Sequence, residues 1–191
     1  MSSSQRSPEL LSASRSRLLV IDMQEKLLPA MHDGALTTKK CAALIQGAGL
    51  FEIPVSATEQ YPRGLGPTVP KLAELLDSPV EKVRFSSAES FDWSSELRPE
   101  DRDQIVLIGI EAHVCVLQTA LDLISRGFQV YVVTDATTSR AEANKQQALK
   151  RITDAGGTLI NTESVMFEWC VCASHPLFKQ VSQIVKSLDP A

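Results

Sequence analysis

Six short apolar runs punctuate the chain at regular intervals, and they constrain its fold more than any other feature. They read "RLLVID" (17–22), "IPVSAT" (53–58), "PVEKV" (79–83), "QIVLIG" (104–109), "QVYVVTD" (129–135) and "GTLIN" (157–161). Four are almost continuously apolar, the pattern of strands buried on both faces rather than of strands with one wet face. Amphipathic stretches separate them. "ALTTKKCAALIQGAGL" precedes the second run and "TVPKLAELLD" the third. A helix is predicted from His113 to Arg126, with Val114, Leu117, Leu121 and Ile124 on one stripe and Gly127 as its stop. "SRAEANKQQALKRITDAGG" sets Ser139 and Glu142 at capping-box spacing and closes on Gly156-Gly157, which frames another helix; two more finish the chain. Strand and helix alternating in this way predict an α/β fold: three layers, Rossmann-like, with a mostly parallel six-stranded sheet covered by helices on both faces and right-handed crossovers.

The 191 residues suit one domain, expected over 17–191, behind a disordered tail at 1–16. The opening "MSSSQRSPELLSASRSR" carries one acid, Glu9, and faintly resembles a mitochondrial presequence, but an apolar strand begins immediately behind it. A formal charge of -4 argues against a broad phosphate-binding surface, so nucleic acid is not the expected partner. No apolar run reaches the roughly 20 residues that span a bilayer. The four cysteines, Cys41, Cys115, Cys170 and Cys172, form neither a disulfide framework nor a CxxC pair. A reducing compartment follows, the cytoplasm first and the mitochondrion as the alternative, with a homo-oligomer acting on a small-molecule substrate.

In an open parallel sheet, ligands bind beyond the carboxyl ends of the strands. Those ends carry Asp22, then Thr58-Glu59-Gln60, then Lys82, then Gly109 to Cys115, then Asp135 to Arg140. Singly, Asp22 reads as a cap, Lys82 as a solvated charge and Cys115 as small apolar filler. Together they are an acid, an ammonium and a thiol. A thiol at a helix N-terminus beside a lysine is expected to have a lowered pKa, and a nearby carboxylate can take its proton and return it to a leaving group. That set is suited to nucleophilic acyl transfer.

Three motifs carry a resemblance. "LLVIDMQ", "EKVRFSS" and "GIEAHVCVLQTALDL" resemble, in that order, the first strand with its acid, the lysine segment and the nucleophile segment of the isochorismatase-like cysteine hydrolase superfamily. "TEQYPRGLG", "DATTSR" and "TESVMFEW" followed by "HPLFKQV" look like the subgroup of isochorismatase domain-containing proteins. The resemblance implies Cys115 as nucleophile, Asp22 as general base and then acid, and Lys82 as their electrostatic partner. It also implies a non-proline cis peptide, placed between Glu111 and Ala112, and an oxyanion hole from the backbone N–H groups of Ala112 and Cys115. The implied activity is hydrolysis of a small amide or related C–N bond through a thioester. A catalytically weak metabolite-binding protein is the alternative, and an RNA-processing or ribonuclease role the more distant one.

No cofactor is expected. Nicotinamidases of this superfamily add an Asp-x-His pair and a second His near the end of the second strand, whereas this chain has "TEQYPRGLGPT" there and its histidines, His32, His113 and His175, all lie elsewhere. A nicotinamidase-type metal site is therefore not expected. Isochorismatase proper needs no thiol nucleophile, and this chain keeps one. A Cys115–His113 dyad is disfavoured because residues two apart on a helix diverge. Gln24, Glu59, Gln60 and Arg140 are pocket candidates that turn formation or capping explains equally well. Phe85, Phe91 and Trp93 read as either an apolar pocket wall or core.

Overall fold

The computed structural model describes residues 6–93 and 102–188. Its sheet has six strands, β1 (Ser16–Ile21), β2 (Val55–Gln60), β3 (Val80–Lys82), β4 (Gln104–Gly109), β5 (Gln129–Thr137) and β6 (Thr158–Ile160), in the order β3-β2-β1-β4-β5-β6. Every pairing is parallel. Strand bounds shift slightly from the sequence reading: β1 starts one residue earlier, β2 lies two residues later, and β5 runs on to Thr137.

Side chains alternate across this sheet as the pleat requires. Leu18, Val20, Val106 and Ile108 face one apolar cluster with Leu44, Trp169 and Val181. These last come from α1 (Gly34–Leu50), α6 (Thr162–Cys170) and α7 (Phe178–Lys186); between them along the chain lie the short α2 (Pro62–Leu65) and α3 (Pro70–Ala73) and the longer α4 (Leu117–Ser125) and α5 (Glu142–Asp154). Leu19, Ile21, Ile105 and Leu107 face a second cluster with Leu123 and Ile152, which come from the two helices on the opposite face. Two cores on two faces explain why the strand sequences are almost unbroken in apolar residues. Among the described residues, no helix is long and apolar enough to cross a membrane.

Several sequence expectations are corrected. The helix predicted from His113 to Arg126 is an α-helix only over Leu117–Ser125; the turn before it, Ala112–Val116, is a wide π turn. Its deepest residues are Val116, Ala120 and Leu123 rather than the predicted stripe, because the wide turn rotates the register. The next helix, Glu142–Asp154, has no side-chain cap, and Ser139 is buried against His113 instead of closing a capping box. "TVPKLAELLD" is helical only over Pro70–Ala73. The described part of the amino-terminal segment, 6–15, departs from the expected disordered tail. Leu11 is fully buried, its N–H donates to Glu168 Oε2 at 2.7 Å, and Tyr131 Oη donates to the Glu9 carbonyl at 2.9 Å. The pair Leu10-Leu11 in a Ser- and Arg-rich stretch was too small a signal to reveal this strap.

The strand order reverses between β1 and β4, which opens a crevice at their carboxyl ends. Gly109 permits the close approach there. Its φ is +115°, and a Cβ on it would lie 2.1 Å from the Ile21 carbonyl oxygen.

Candidate active site

Asp22 follows β1 in the left-handed region, with φ 52°, a conformation that aspartate tolerates better than most residues. Its N–H donates to the Thr58 carbonyl at 3.1 Å, which turns the carboxylate out of the ladder. That carboxylate is fully buried and meets Lys82 Nζ at 2.7 Å through Oδ2, while Oδ1 accepts from Thr58 Oγ1 at 2.8 Å. Lys82 is the last residue of β3, and its side chain is 4% exposed. The predicted lysine is therefore a buried ion-pair partner, not a solvated charge. Its ammonium also donates to Gln60 Oε1 at 2.7 Å and to the carbonyls of Phe85 (3.1 Å) and Arg84 (3.3 Å). A buried charge persists only with such partners.

Cys115 sits in the π turn, 6% exposed, within the electrostatic reach of both Asp22 and Lys82. The expected lowered thiol pKa is corrected. Cys115 is pushed up to about 12, chiefly by burial and then by the charge and hydrogen bonding of Asp22, with Lys82 opposing both only in part. Burial therefore keeps the resting group a thiol, and the Lys82 ammonium that opposes it is shared with Asp22, Gln60 and two carbonyls. A run of hydroxyls holds the turn. Thr119 Oγ1 donates to the Cys115 carbonyl at 2.6 Å and accepts from the Ser87 N–H at 2.8 Å, and Ser87 Oγ lies 3.1 Å from Thr58 Oγ1. Sequence reasoning missed Ser87 and Thr119, since nothing in a lone Ser or Thr signals a contact across 32 residues.

The non-proline cis peptide lies between Ile110 and Glu111, one residue before the expected Glu111–Ala112 link. Ile110 N–H still continues the ladder to the Ile21 carbonyl at 2.9 Å, whereas Ala112 N–H already reaches the Thr138 carbonyl at 2.8 Å, so the chain changes course between them. Ala112 N–H is thereby occupied, which removes it from the expected oxyanion hole. Glu111 N–H makes no hydrogen bond to another described residue.

The pocket candidates divide. Gln24 is fully buried and clamps the loop after β2, exchanging bonds with Gln60 and donating to the Gly66 carbonyl. Glu59 takes the N–H and hydroxyl of Thr68 at 2.6 and 2.7 Å, a second structural clamp. Gln60 orients Lys82. Phe85 contributes its carbonyl, while its ring is exposed. Arg140 pairs with Glu111 at 3.0 Å. His113 Nδ1 lies 3.0 Å from Ser139 Oγ, directing that nitrogen to the β5 exit. Trp93 is core: it packs edge-on against Phe128 and donates to the Ala88 carbonyl. Among the described residues, no group of three or more His, Cys, Asp or Glu is arranged to hold a metal ion.

Fold and geometry together define a doubly wound α/β protein with a buried acid, cation and thiol at its topological switch point. Comparison with known proteins then places it: the isochorismatase domain model matches residues 16–164, and the chain belongs to that family of hydrolases. It is 39% identical over 175 residues to isochorismatase domain-containing protein 2 of Bos taurus, an alignment covering 92% of this chain and 85% of that protein. The human protein of the same description is 38% identical over the same shares. Among solved structures, the MAR1 ribonuclease of Caenorhabditis elegans superposes with a TM-score of 0.85 at 34% identity, covering 95% of each chain.

Proposed function

We propose that the protein is a cysteine hydrolase that opens a small amide or related C–N bond by acyl transfer to Cys115. The observation that carries this reading is the buried Asp22–Lys82 pair at 2.7 Å, acting on a thiol that burial keeps protonated. Such a thiol needs a base at the moment of attack, and the Asp22 carboxylate, 2.7 Å from the Lys82 ammonium, is that base.

In the first step Asp22 takes the Cys115 proton as Sγ bonds to the substrate carbonyl carbon. The carbonyl electron pair moves onto oxygen, where the N–H groups of Cys115 and Glu111 receive it, Glu111 replacing the occupied Ala112. Collapse re-forms the carbonyl and breaks the C–N bond, and Asp22 hands its proton to the departing nitrogen. A water, deprotonated by Asp22, then attacks the thioester; Cys115 leaves and recovers the proton. The Lys82 ammonium offsets the negative charge that passes from carboxylate to sulfur to oxygen. Gln60 and the Arg84 and Phe85 carbonyls fix its position.

The likeness to the C. elegans MAR1 ribonuclease supplies a second reading, RNA cleavage. A net charge of -4 and a buried thiol favour the first. Ammonia release from a panel of small amides, combined with mass spectrometry of acid-quenched protein, separates them. An acyl adduct on Cys115 is expected; saturable binding of amides without adduct or turnover would leave a binding protein. RNA cleavage that survives Cys115→Ala and weakens steeply with salt would favour the second reading.

A further inference from the structure

At the other end of the sheet, two of the remaining thiols stand together. Trp169 Nε1 donates to Ser16 Oγ at 2.9 Å, which fixes the end of α6 beside the first residue of β1. The length of β1, roughly 20 Å at about 3.3 Å per residue, separates this place from Asp22. Cys170 closes α6, Val171 follows at φ 69° and ψ −50°, and Cys172 N–H returns to the Cys170 carbonyl at 2.8 Å. This is a γ-turn of the rare, strained hand, carried by a β-branched residue that disfavours positive φ. It doubles the chain back over a single residue. Cys170 Sγ lies over the turn, donating to the Cys172 carbonyl at 3.6 Å.

The two sulfurs differ in kind. Cys172 is exposed, and its Sγ is 3.2 Å from Ser174 Oγ; that hydroxyl, with the backbone N–H groups of Ser174 and His175, lowers its pKa. Cys170 is buried, and burial raises its pKa, as does charge on Cys172. Cys41 and Cys115 are raised much further by burial. At neutral pH, Cys172 is therefore the sulfur with most thiolate character and best access.

We infer that Cys170 and Cys172 form a peroxide-responsive dithiol, with Cys172 the sulfur that reacts and Cys170 the one that resolves it. The thiolate of Cys172 attacks the O–O bond of a hydroperoxide, taking one oxygen as sulfenic acid and releasing the other as alcohol, or as water from hydrogen peroxide. The sulfur loses two electrons and the peroxide gains them. Cys170 Sγ then attacks Cys172 Sγ; the S–O bond breaks, and hydroxide leaves as water with the Cys170 proton. The product is a disulfide closed across Val171. The γ-turn favours this step by holding the resolving thiol within the same turn. The site is independent of the acyl-transfer reading.

The experiment exposes the full chain to a small excess of hydrogen peroxide at pH 7, traps free thiols and sulfenic acid with an alkylating agent and dimedone, and maps peptides without reduction. The expected result is an intramolecular 170–172 disulfide, two hydrogens lighter and reversible by dithiothreitol, with Cys41 and Cys115 still reduced. Cys170→Ser should divert the reaction to a dimedone adduct at Cys172, raised about tenfold or more over the parent. Cys172→Ser, at an exposed position that does not test the fold, should leave Cys170 reduced. A persistent dimedone adduct at Cys172 in the parent, a Cys172–Cys172 crosslink between chains, or oxidation of Cys115 ahead of Cys172 would each overturn the inference.

Discussion

With its pKa raised by burial, Cys115 rests as a thiol, and under the proposed reaction it becomes the nucleophile only when Asp22 receives its proton. Two substitutions separate these contributions. Asp22→Asn removes the negative neighbour, so the pH profile of Cys115 alkylation should move to lower pH while turnover falls by about a hundredfold or more. Lys82→Met should move the same profile to higher pH. It should also lower stability by about 3 to 5 kcal/mol in chemical denaturation, since it leaves a buried carboxylate unpaired. Iodoacetamide at neutral pH should label Cys172 before Cys115; the reverse order would mean that Lys82 activates the thiol in the resting protein. The raised thiol also makes stability depend on pH. Between the ordinary 9.0 and about 12, the folded chain keeps a Cys115 proton that the unfolded chain has lost. The stability drawn from the neutral thiol is complete below pH 9 and is lost as pH rises through that window, by up to about 1.4 kcal/mol per unit. The difference in unfolding free energy between parent and Cys115→Ala, followed from pH 8 to pH 11, measures it.

At the scale of elements, the site depends on how closely β1 and β4 approach and on the turn that follows β4. Gly109→Ala would set a Cβ 2.1 Å from the Ile21 carbonyl at a φ of +115°, so β4 must move away from β1 or the residue must change conformation. A loss of about 3 kcal/mol or more is expected, with activity falling in the remaining folded protein, as melting and turnover measured together would show. Thr119→Val tests the turn: it strips a buried acceptor from Ser87 N–H and a donor from the Cys115 carbonyl. A cost of about 1 to 3 kcal/mol is expected, and slower acylation of Cys115 should accompany it. The strands themselves were legible, because unbroken apolar runs such as "QIVLIG" have few other uses. The π turn was not, since "AHVCV" has the composition of an ordinary helix and only its packing widens it.

For the whole molecule, the amino-terminal strap ties the start of the chain to β5 and α6, far from the crevice. Leu11→Ala should cost about 2 to 5 kcal/mol while leaving the activity of the folded protein unchanged, because the cavity it opens is remote from Asp22. Equal losses of stability and turnover would show instead that the strap reaches the site. The charge balance in the crevice rests on Lys82, so chelation by EDTA is expected to leave amide hydrolysis within about twofold. A large loss restored by zinc would require a different account of the oxyanion.

The sequence by itself determined the layered parallel sheet, the strand ends at which chemistry gathers, and the candidates Asp22, Lys82 and Cys115, because periodicity and order along the chain are local properties. Only the tertiary structure decided the state of those groups. Whether a lysine is solvated or locked at 2.7 Å from a buried carboxylate, and whether a thiol is a thiolate or held protonated near 12, depends on desolvation by residues distant in sequence. The same holds for Ala112, whose N–H is taken by the Thr138 carbonyl across 26 positions. It holds too for Gln24 and Glu59, whose hydrogen bonds to Gly66 and Thr68 brace the loop after β2. Residue type and spacing say which groups can meet; burial and the hydrogen bonds left over after folding set what each of them does there.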